Sequence, residues 1–237
     1  MPVTTIHFDA ILFDMDGTLV DSTDGVVGAW QTFAQTYPGI DVEDILSSAH
    51  GVRTVENLRR YCGVTDPDEL EAEAVRFEEA IVQSASLPGR KGIVQLPGVK
   101  EAMRELLPGR KLPHPCWAIC TSATRKYATS ALTASGIPIP DVFIAAEDVT
   151  EGKPKPDPYL KGAEGCGVDP RRCLVVEDAP NGIRSGKSAG CKTLALTTTH
   201  SKEQVQESEP DYIVENLSSV SFKRAETGGV DVTINHD

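Results

Sequence analysis

Hydrophobic and polar positions follow three different patterns along the chain, and the first changeover between them is the most informative. Residues 9 to 22 read Asp9-Ala-Ile-Leu-Phe-Asp-Met-Asp-Gly-Thr-Leu-Val-Asp-Ser22. The run Ala10–Phe13 is continuously apolar, with Gly17 just beyond it, which suits a short strand buried on both faces of a parallel sheet. From residue 23 the period becomes helical: Val26, Val27, Trp30, Phe33 and Ala34 recur at spacings of three and four, and Pro38-Gly39 ends the stripe. Residues 41 to 48 predict a second helix. Ala49-His50-Gly51-Val52-Arg53-Thr54 reads as a loop leading into a third, which carries Val55, Leu58, Tyr61 and Cys62. Asp66-Pro67-Asp68-Glu69 has the acidic, proline-bearing composition of a helix start, and the segment it opens runs to about Ser84. No strand is expected between about 22 and 96, where Leu96-Pro97-Gly98 marks the return. This stretch is read as an all-helical cap domain, inserted just behind the first strand.

From residue 98 the pattern alternates. Strands are expected over 116–121, 142–145, 173–176, 193–196 and 212–214, and helices over 99–107, 125–134, 158–165, 182–189 and 202–207. Alternating strands and helices imply right-handed crossovers and a parallel sheet covered on both faces. The fold class is therefore α/β, a doubly wound, Rossmann-like parallel core formed by 1–21 and 97–237, with the cap occupying 22–96. The tail from 220 to 234 alternates around Thr227-Gly228-Gly229 and predicts a terminal hairpin.

Composition narrows the partners. A formal net charge of −12 over 237 residues argues against nucleic acid or an anionic membrane surface, which need a basic face. It does not argue against a phosphorylated substrate, because one metal ion and one lysine can dominate a local field. The six cysteines are scattered without C-x-x-C or zinc spacing, so core packing in a reducing compartment is the expectation. With no basic-then-apolar leader and no apolar run near the roughly 20 residues of a membrane helix, the expected location is the cytoplasm.

If the sheet is parallel, residues just past each strand gather on one edge, where ligands bind in open α/β folds. Those residues are Asp14 and Asp16, Thr121-Ser122, Glu147-Asp148 and Glu177-Asp178, with Gly152-Lys153-Pro154-Lys155 between the last two pairs. Asp14 and Asp16 alone are also compatible with turn chemistry before Gly17. Gathered with the other strand ends, they form the parts needed for phosphoryl transfer: carboxylates that call for a cation between them, a hydroxyl and a lysine.

Asp14-Met-Asp-Gly-Thr-Leu19, Thr121-Ser122, Lys153-Pro154 and Glu177-Asp178, in this order, resemble the four motifs of the haloacid-dehalogenase-like phosphatases, and the likeness spans nearly the whole chain. His50-Gly-Val-Arg-Thr54, Trp117-Ala-Ile-Cys-Thr-Ser122 and Glu177-Asp-Ala-Pro-Asn-Gly-Ile-Arg-Ser-Gly-Lys187 are similar to the fungal glycerol-phosphate and deoxyglucose-6-phosphate phosphatases. The resemblance implies a Mg²⁺-dependent phosphomonoester hydrolase acting on small sugar or polyol phosphates. Asp14 would be the nucleophile forming an aspartyl-phosphate, and Asp16 the general acid and then base. Ser122 would donate to a phosphoryl oxygen, with neighbouring Thr121 its competitor, and Lys153, rather than Lys155, would neutralise charge. The metal would be held by Asp14, Asp16 and Asp178, with Glu177 bound directly or through water; an all-oxygen set suits Mg²⁺. Glu147 and Asp148 are expected in structural or supporting positions. His50, Arg53 and Thr18 are assigned to the substrate side, Thr18 also to orienting Asp16, while Trp30 is the aromatic candidate of the cap. A monomer would suffice for this chemistry. A phosphosugar mutase using the same residues, or an inactive binding module on the same fold, is the alternative. Glycerol phosphate, deoxyglucose-6-phosphate and other polyol phosphates are all compatible with the motifs.

Overall fold

The computed structural model describes residues 3–48, 51–111 and 114–235. The first strands are β1 (Val3–Phe8), β2 (Ala10–Phe13) and β3 (Val20–Asp21), followed by helices α1 (Thr23–Ala34), α2 (Val42–Ser48), α3 (Thr54–Cys62) and α4 (Pro67–Ala85). The chain returns through β4 (Val94–Gln95), then alternates α5 (Val99–Leu106), β5 (Trp117–Cys120), α6 (Arg125–Ser135), β6 (Phe143–Ile144) and α7 (Asp157–Cys166). It continues with β7 (Cys173–Glu177), α8 (Pro180–Ser188), β8 (Lys192–Leu196), α9 (Lys202–Gln206), β9 (Tyr212–Val214), β10 (Val220–Arg224) and β11 (Val230–Asn235).

Six strands form one parallel sheet in the order β6-β5-β2-β7-β8-β9. The first strand of the motif stretch, β2, lies inside the sheet, and the chain winds outward from it in both directions. Such an order places a crevice beside the carboxyl end of the central strand, where successive connections leave in opposite directions. Side chains alternate between faces as a pleat requires. Ile11 and Phe13 pack with Trp117, Ile119, Leu174 and Val176, on the side covered by α5 and α6, while Ala10 and Leu12 face Tyr159 and Ala163 of α7. Both faces are apolar, which explains why Ala10–Phe13 is an unbroken hydrophobic run.

The expected terminal hairpin is present as β10 and β11, but β1 extends it to a three-stranded antiparallel sheet, Val3 opposite Asn235 and Phe8 opposite Val230. The sequence reading has no strand before residue 10. The signal was there in the alternation of Ile6 and Phe8 inward with Thr5 and His7 outward. This sheet covers one face of the core, and Phe13 meets Phe222 edge-on at 5.8 Å.

Helices α1 to α4 lie between β3 and β4, and they pack chiefly on one another through Trp30, Phe33, Tyr61 and Phe77; the Trp30 and Phe77 centroids are 4.5 Å apart. Asp66 caps α4 by accepting from the Glu69 amide at 3.0 Å, with Pro67 in the first turn. The expectation of no strand over 22–96 is corrected by β4: Val20 pairs with Gln95 and Asp21 with Val94, tying the outgoing and returning legs together. Two residues per strand are too few to write a periodicity. No helix among the described residues is long and apolar enough to cross a membrane.

Candidate active site

The loops that follow β2, β5, β6 and β7 meet at the carboxyl edge of the sheet. Asp14 follows β2 directly and is 5% exposed; Lys153, from the β6–α7 loop, is 1% exposed, and Glu177 and Asp178 at the end of β7 are 0% and 1% exposed. Lys153 Nζ donates to Asp14 Oδ1 at 2.5 Å and to Glu177 Oε1 at 2.7 Å. Burial would lower the Lys153 ammonium, but the attraction of Asp14 and Glu177 outweighs it and raises the lysine above its ordinary range.

Glu177 is saturated. Its Oε1 accepts from Lys153 and, at 2.8 Å, from the Tyr159 hydroxyl, and its Oε2 accepts the amides of Asp178 and Ala179 at 3.0 Å each. These four bonds fill the acceptor capacity of a carboxylate. The backbone leaves it no room to shift: a Cβ at Gly182 would lie 1.6 Å from Glu177 Oε1. Asp178 accepts from Thr18 Oγ1 at 3.1 Å on Oδ1 and from Thr199 Oγ1 on Oδ2. Gly17, at φ +84°, passes so close that a Cβ there would sit 2.3 Å from Asp178 Oδ2, which accounts for the glycine of the opening motif.

One oxygen from each of Asp14, Glu177 and Asp178 falls within 4.8 Å of the others, and Lys153 is the ammonium paired with two of them. The balance is negative. Burial, with repulsion from Glu177 and Asp178, pushes the Asp14 carboxyl well above the ordinary aspartate range despite Lys153. Burial and the Glu177 charge push Asp178 up to about 7. Buried carboxylates in such surplus are a fitting donor set for a hard divalent cation. With Glu177 saturated, Asp14 and Asp178 are the side chains free to serve it.

Asp16 stands apart from this cluster, at the wall of a cavity that it shares with Asp14, Thr121, Ser122 and residues of α1 and α4. Its Oδ1 accepts from Ser22 Oγ at 2.5 Å and from Tyr127 Oη at 2.9 Å. Burial raises the Asp16 carboxyl, while these two hydroxyls partly pull it back. Sequence reasoning assigned the orienting of Asp16 to Thr18, and the structure corrects this: Thr18 is fully buried and its hydroxyl donates to Asp178 instead. Ser22 and Tyr127 do that work. Ser22 closes the same opening stretch, six residues on, whereas Tyr127 had no local signal, since it reaches Asp16 from the first turn of α6, 111 residues along the chain.

Thr121 and Ser122 both line the cavity, with different commitments. Ser122 Oγ donates to the Gly51 carbonyl at 3.1 Å, whereas Thr121 Oγ1 accepts the Ala123 amide at 3.1 Å and keeps its proton for another acceptor. Arg53, assigned to substrate, is instead turned onto the core: Nη1 donates to Thr150 O at 3.1 Å, and Nη2 to Ala146 O at 3.1 Å and Val149 O at 2.6 Å. The guanidinium clamps the loop that leads to Lys153, and Gly152 permits the approach, since a Cβ there would be 2.8 Å from Arg53 Nε. His50, the other substrate candidate of that loop, lies outside the described residues. Trp30 is 2% exposed, a core residue of its helix whose edge also reaches the cavity. Glu147 and Asp148 hold the start of α6 through Arg125, and Lys155 is a solvated lysine near Glu151. The buried cysteines are free thiols packed in the core.

A parallel α/β sheet whose strand ends gather these carboxylates around one buried lysine defines a class, and the comparisons agree with it. The family model of the haloacid dehalogenase-like hydrolases matches residues 8–190, and the chain belongs to that family. It is similar to hexitol phosphatase A of Escherichia coli (35% identical, covering 92% of this chain and 96% of that protein). Glycerol-1-phosphate phosphohydrolase 1 of Saccharomyces cerevisiae is 35% identical over 93% of this chain and 88% of its own. Among solved structures, CbbY from Rhodobacter sphaeroides in complex with xylulose-(1,5)bisphosphate superposes with a TM-score of 0.74 at 24% identity, covering 89% of this chain and 95% of that one, a likeness of fold.

Proposed function

We propose that this hydrolase removes phosphate from small sugar or polyol phosphate monoesters through an aspartyl-phosphate on Asp14. The observation that carries the reading is the buried Asp14–Lys153–Glu177 arrangement beside Asp178, in a family whose similar members include hexitol and glycerol-1-phosphate phosphatases. Lys153 holds Asp14 Oδ1, so attack on phosphorus falls to Oδ2. The new bond joins Asp14 to phosphorus as the ester P–O bond breaks, and Asp16 delivers its proton to the departing alkoxide. Asp16 then takes a proton from water, the water oxygen bonds to phosphorus, and the Asp14 carboxylate leaves with inorganic phosphate as product.

Mg²⁺ would be held by the side chains of Asp14 and Asp178 and the backbone carbonyl of Asp16, where it supplies positive charge for the phosphoryl oxygens. Lys153 stabilises the same charge from the protein side, and Glu177 fixes the lysine. The hydroxyls of Thr121 and Ser122 contact the phosphoryl group; Thr121 carries more of this role, because Ser122 is engaged with Gly51. Helices α1 to α4 act as a cap domain over the crevice, and Arg53 latches it to the core, excluding bulk water from the reaction.

A panel of about twenty phosphate esters assayed for Mg²⁺-dependent phosphate release tests the reading, with Asp14→Asn expected to abolish turnover while keeping the fold. Near wild-type hydrolysis by that variant would refute the role of Asp14. Conversion of glucose-1-phosphate to glucose-6-phosphate without phosphate release would identify a mutase instead.

A further inference from the structure

The cavity above Asp14 has a wall that the chemistry so far does not use. Trp30, Phe77 and Ile81 make its apolar part, and Glu78, in the second half of α4, its charged part. Glu78 is 4% exposed, yet it lines the same cavity as Asp14 and Asp16. Its orientation is fixed across the boundary between the helical unit and the core. Oε1 accepts from Thr54 Oγ1 at 3.0 Å and from the Thr124 amide at 3.1 Å, and Oε2 accepts from Thr124 Oγ1. Thr124 is the N-cap of α6, so the carboxylate sits at the positive end of an 11-residue helix, which favours its charged form. Three of about four acceptor directions are thus filled, leaving one on Oε2. Among the described residues, no lysine or arginine lines the cavity.

We propose that Glu78 determines substrate specificity: its carboxylate accepts a hydroxyl from an uncharged polyol or sugar leaving group and repels phosphate esters that carry a second negative charge. The inference rests on the hydrolase reading above and adds the charge class of the substrate. A second anion placed beyond the phosphate would enter the cavity holding the Glu78 carboxylate, where no lysine or arginine among the described residues stands to receive it. Repulsion by a carboxylate as buried as Glu78 is stronger than in water. The fold itself does not impose this selection, since CbbY, built on the same fold, was crystallised with a bisphosphate. The discrimination has to reside in side chains.

The test uses substrate pairs matched in size, glycerol 3-phosphate against 3-phosphoglycerate and sorbitol 6-phosphate against 6-phosphogluconate. The wild-type enzyme is expected to favour the neutral member at least 100-fold in kcat/KM. Glu78→Gln should narrow that ratio at least tenfold, and a general loss of activity cancels from it. Glu78→Asp, which keeps the charge, should hold the ratio within threefold of wild type. A wild-type preference for the anionic member, or a ratio unmoved by Glu78→Gln, overturns the inference while leaving the hydrolase reading intact. If Glu78→Gln does not fold, Thr54→Val, which strips one donor from Glu78, takes its place, and a wild-type ratio left unmoved by it overturns the inference. Failure of the wild type to release phosphate from any ester, p-nitrophenyl phosphate included, overturns both.

Discussion

Replacing Lys153 by methionine separates the two things this lysine does. The ammonium lies 2.5 Å from Asp14 and 2.7 Å from Glu177 with its side chain fully buried. At an effective dielectric constant near 20, each pair attracts by about 6 kcal/mol before the cost of dehydrating the charges is counted. Methionine fills much of the same space but leaves two buried carboxylates facing each other, which should destabilise the fold by about 3–5 kcal/mol. For a chain of this size each kcal/mol moves the melting temperature by roughly 2–4 °C, so a fall of roughly 6–20 °C is expected. The control is the double variant Lys153→Met with Glu177→Gln. The glutamine oxygen can keep the amides of Asp178 and Ala179 and its NH₂ can turn to the Tyr159 oxygen, so the buried charge at this position is removed while the Tyr159 proton gives up its acceptor. The double variant should regain about 2 kcal/mol or more over Lys153→Met alone, in thermal and urea unfolding, yet remain at least about 100-fold below wild type in kcat. A melting temperature for Lys153→Met within about 2 °C of wild type would refute the reasoning, and so would single-variant losses that simply add in the double.

Three further outcomes are expected. Tyr127→Phe removes one of the two hydroxyls held to Asp16 and should lower kcat roughly tenfold, with KM and circular dichroism little changed; an unaltered kcat would show that Ser22 suffices to position the acid. Arg53→Ala frees three core carbonyls from their cationic partner and should cost about 1.5–3 kcal/mol and reduce kcat/KM, and Arg53→Lys should fail to restore either, because an ammonium lacks the fork that spans Ala146, Val149 and Thr150. Full rescue by lysine would contradict the latch. Among helices α1 to α4, the Arg76 guanidinium and the Tyr37 hydroxyl hydrogen-bond to Glu73, and the arginine's bonds are the main force holding its carboxyl below the ordinary range. A depressed carboxyl contributes stability above its unfolded pKa, about 4.3, and loses it as the pH falls through the folded value. Glu73→Gln should therefore be less stable than wild type by about 0.5–1 kcal/mol at pH 7, discounted for the exposure of Arg76, with the difference shrinking as the pH falls below the unfolded pKa; a difference that stays constant on acidification would exclude this origin.

The strand ends were legible because a buried parallel strand writes itself as an apolar run, and the next residue past it is placed without reference to any other part of the chain. Asp14, Asp16, Thr121, Ser122, Glu177 and Asp178 could all be located in this way, and the helical excursion after Ser22 followed from a change of period. What each group does is another matter. Glu177 was expected near the metal, but it is filled by Lys153, Tyr159 and two amides, and that follows only from where α7 packs against the sheet. Thr18 was expected beside Asp16, but the tight turn from Met15 to Val20 buries it under Asp178. Arg53, Tyr127 and Glu78 took their roles from elements far away in sequence. The sequence by itself determined the sheet, the order of its connections and which residues stand on the reactive edge, since these depend on local periodicity and on the handedness of βαβ units. Only the tertiary structure decided that Tyr127 reaches Asp16, that Arg53 binds the carbonyls of Ala146, Val149 and Thr150, and that Glu78 lines the cavity with Asp14. Apart from Ser22, close to Asp16 in sequence, those choices rest on side chains from elements distant along the chain, and no local pattern records a distance between them.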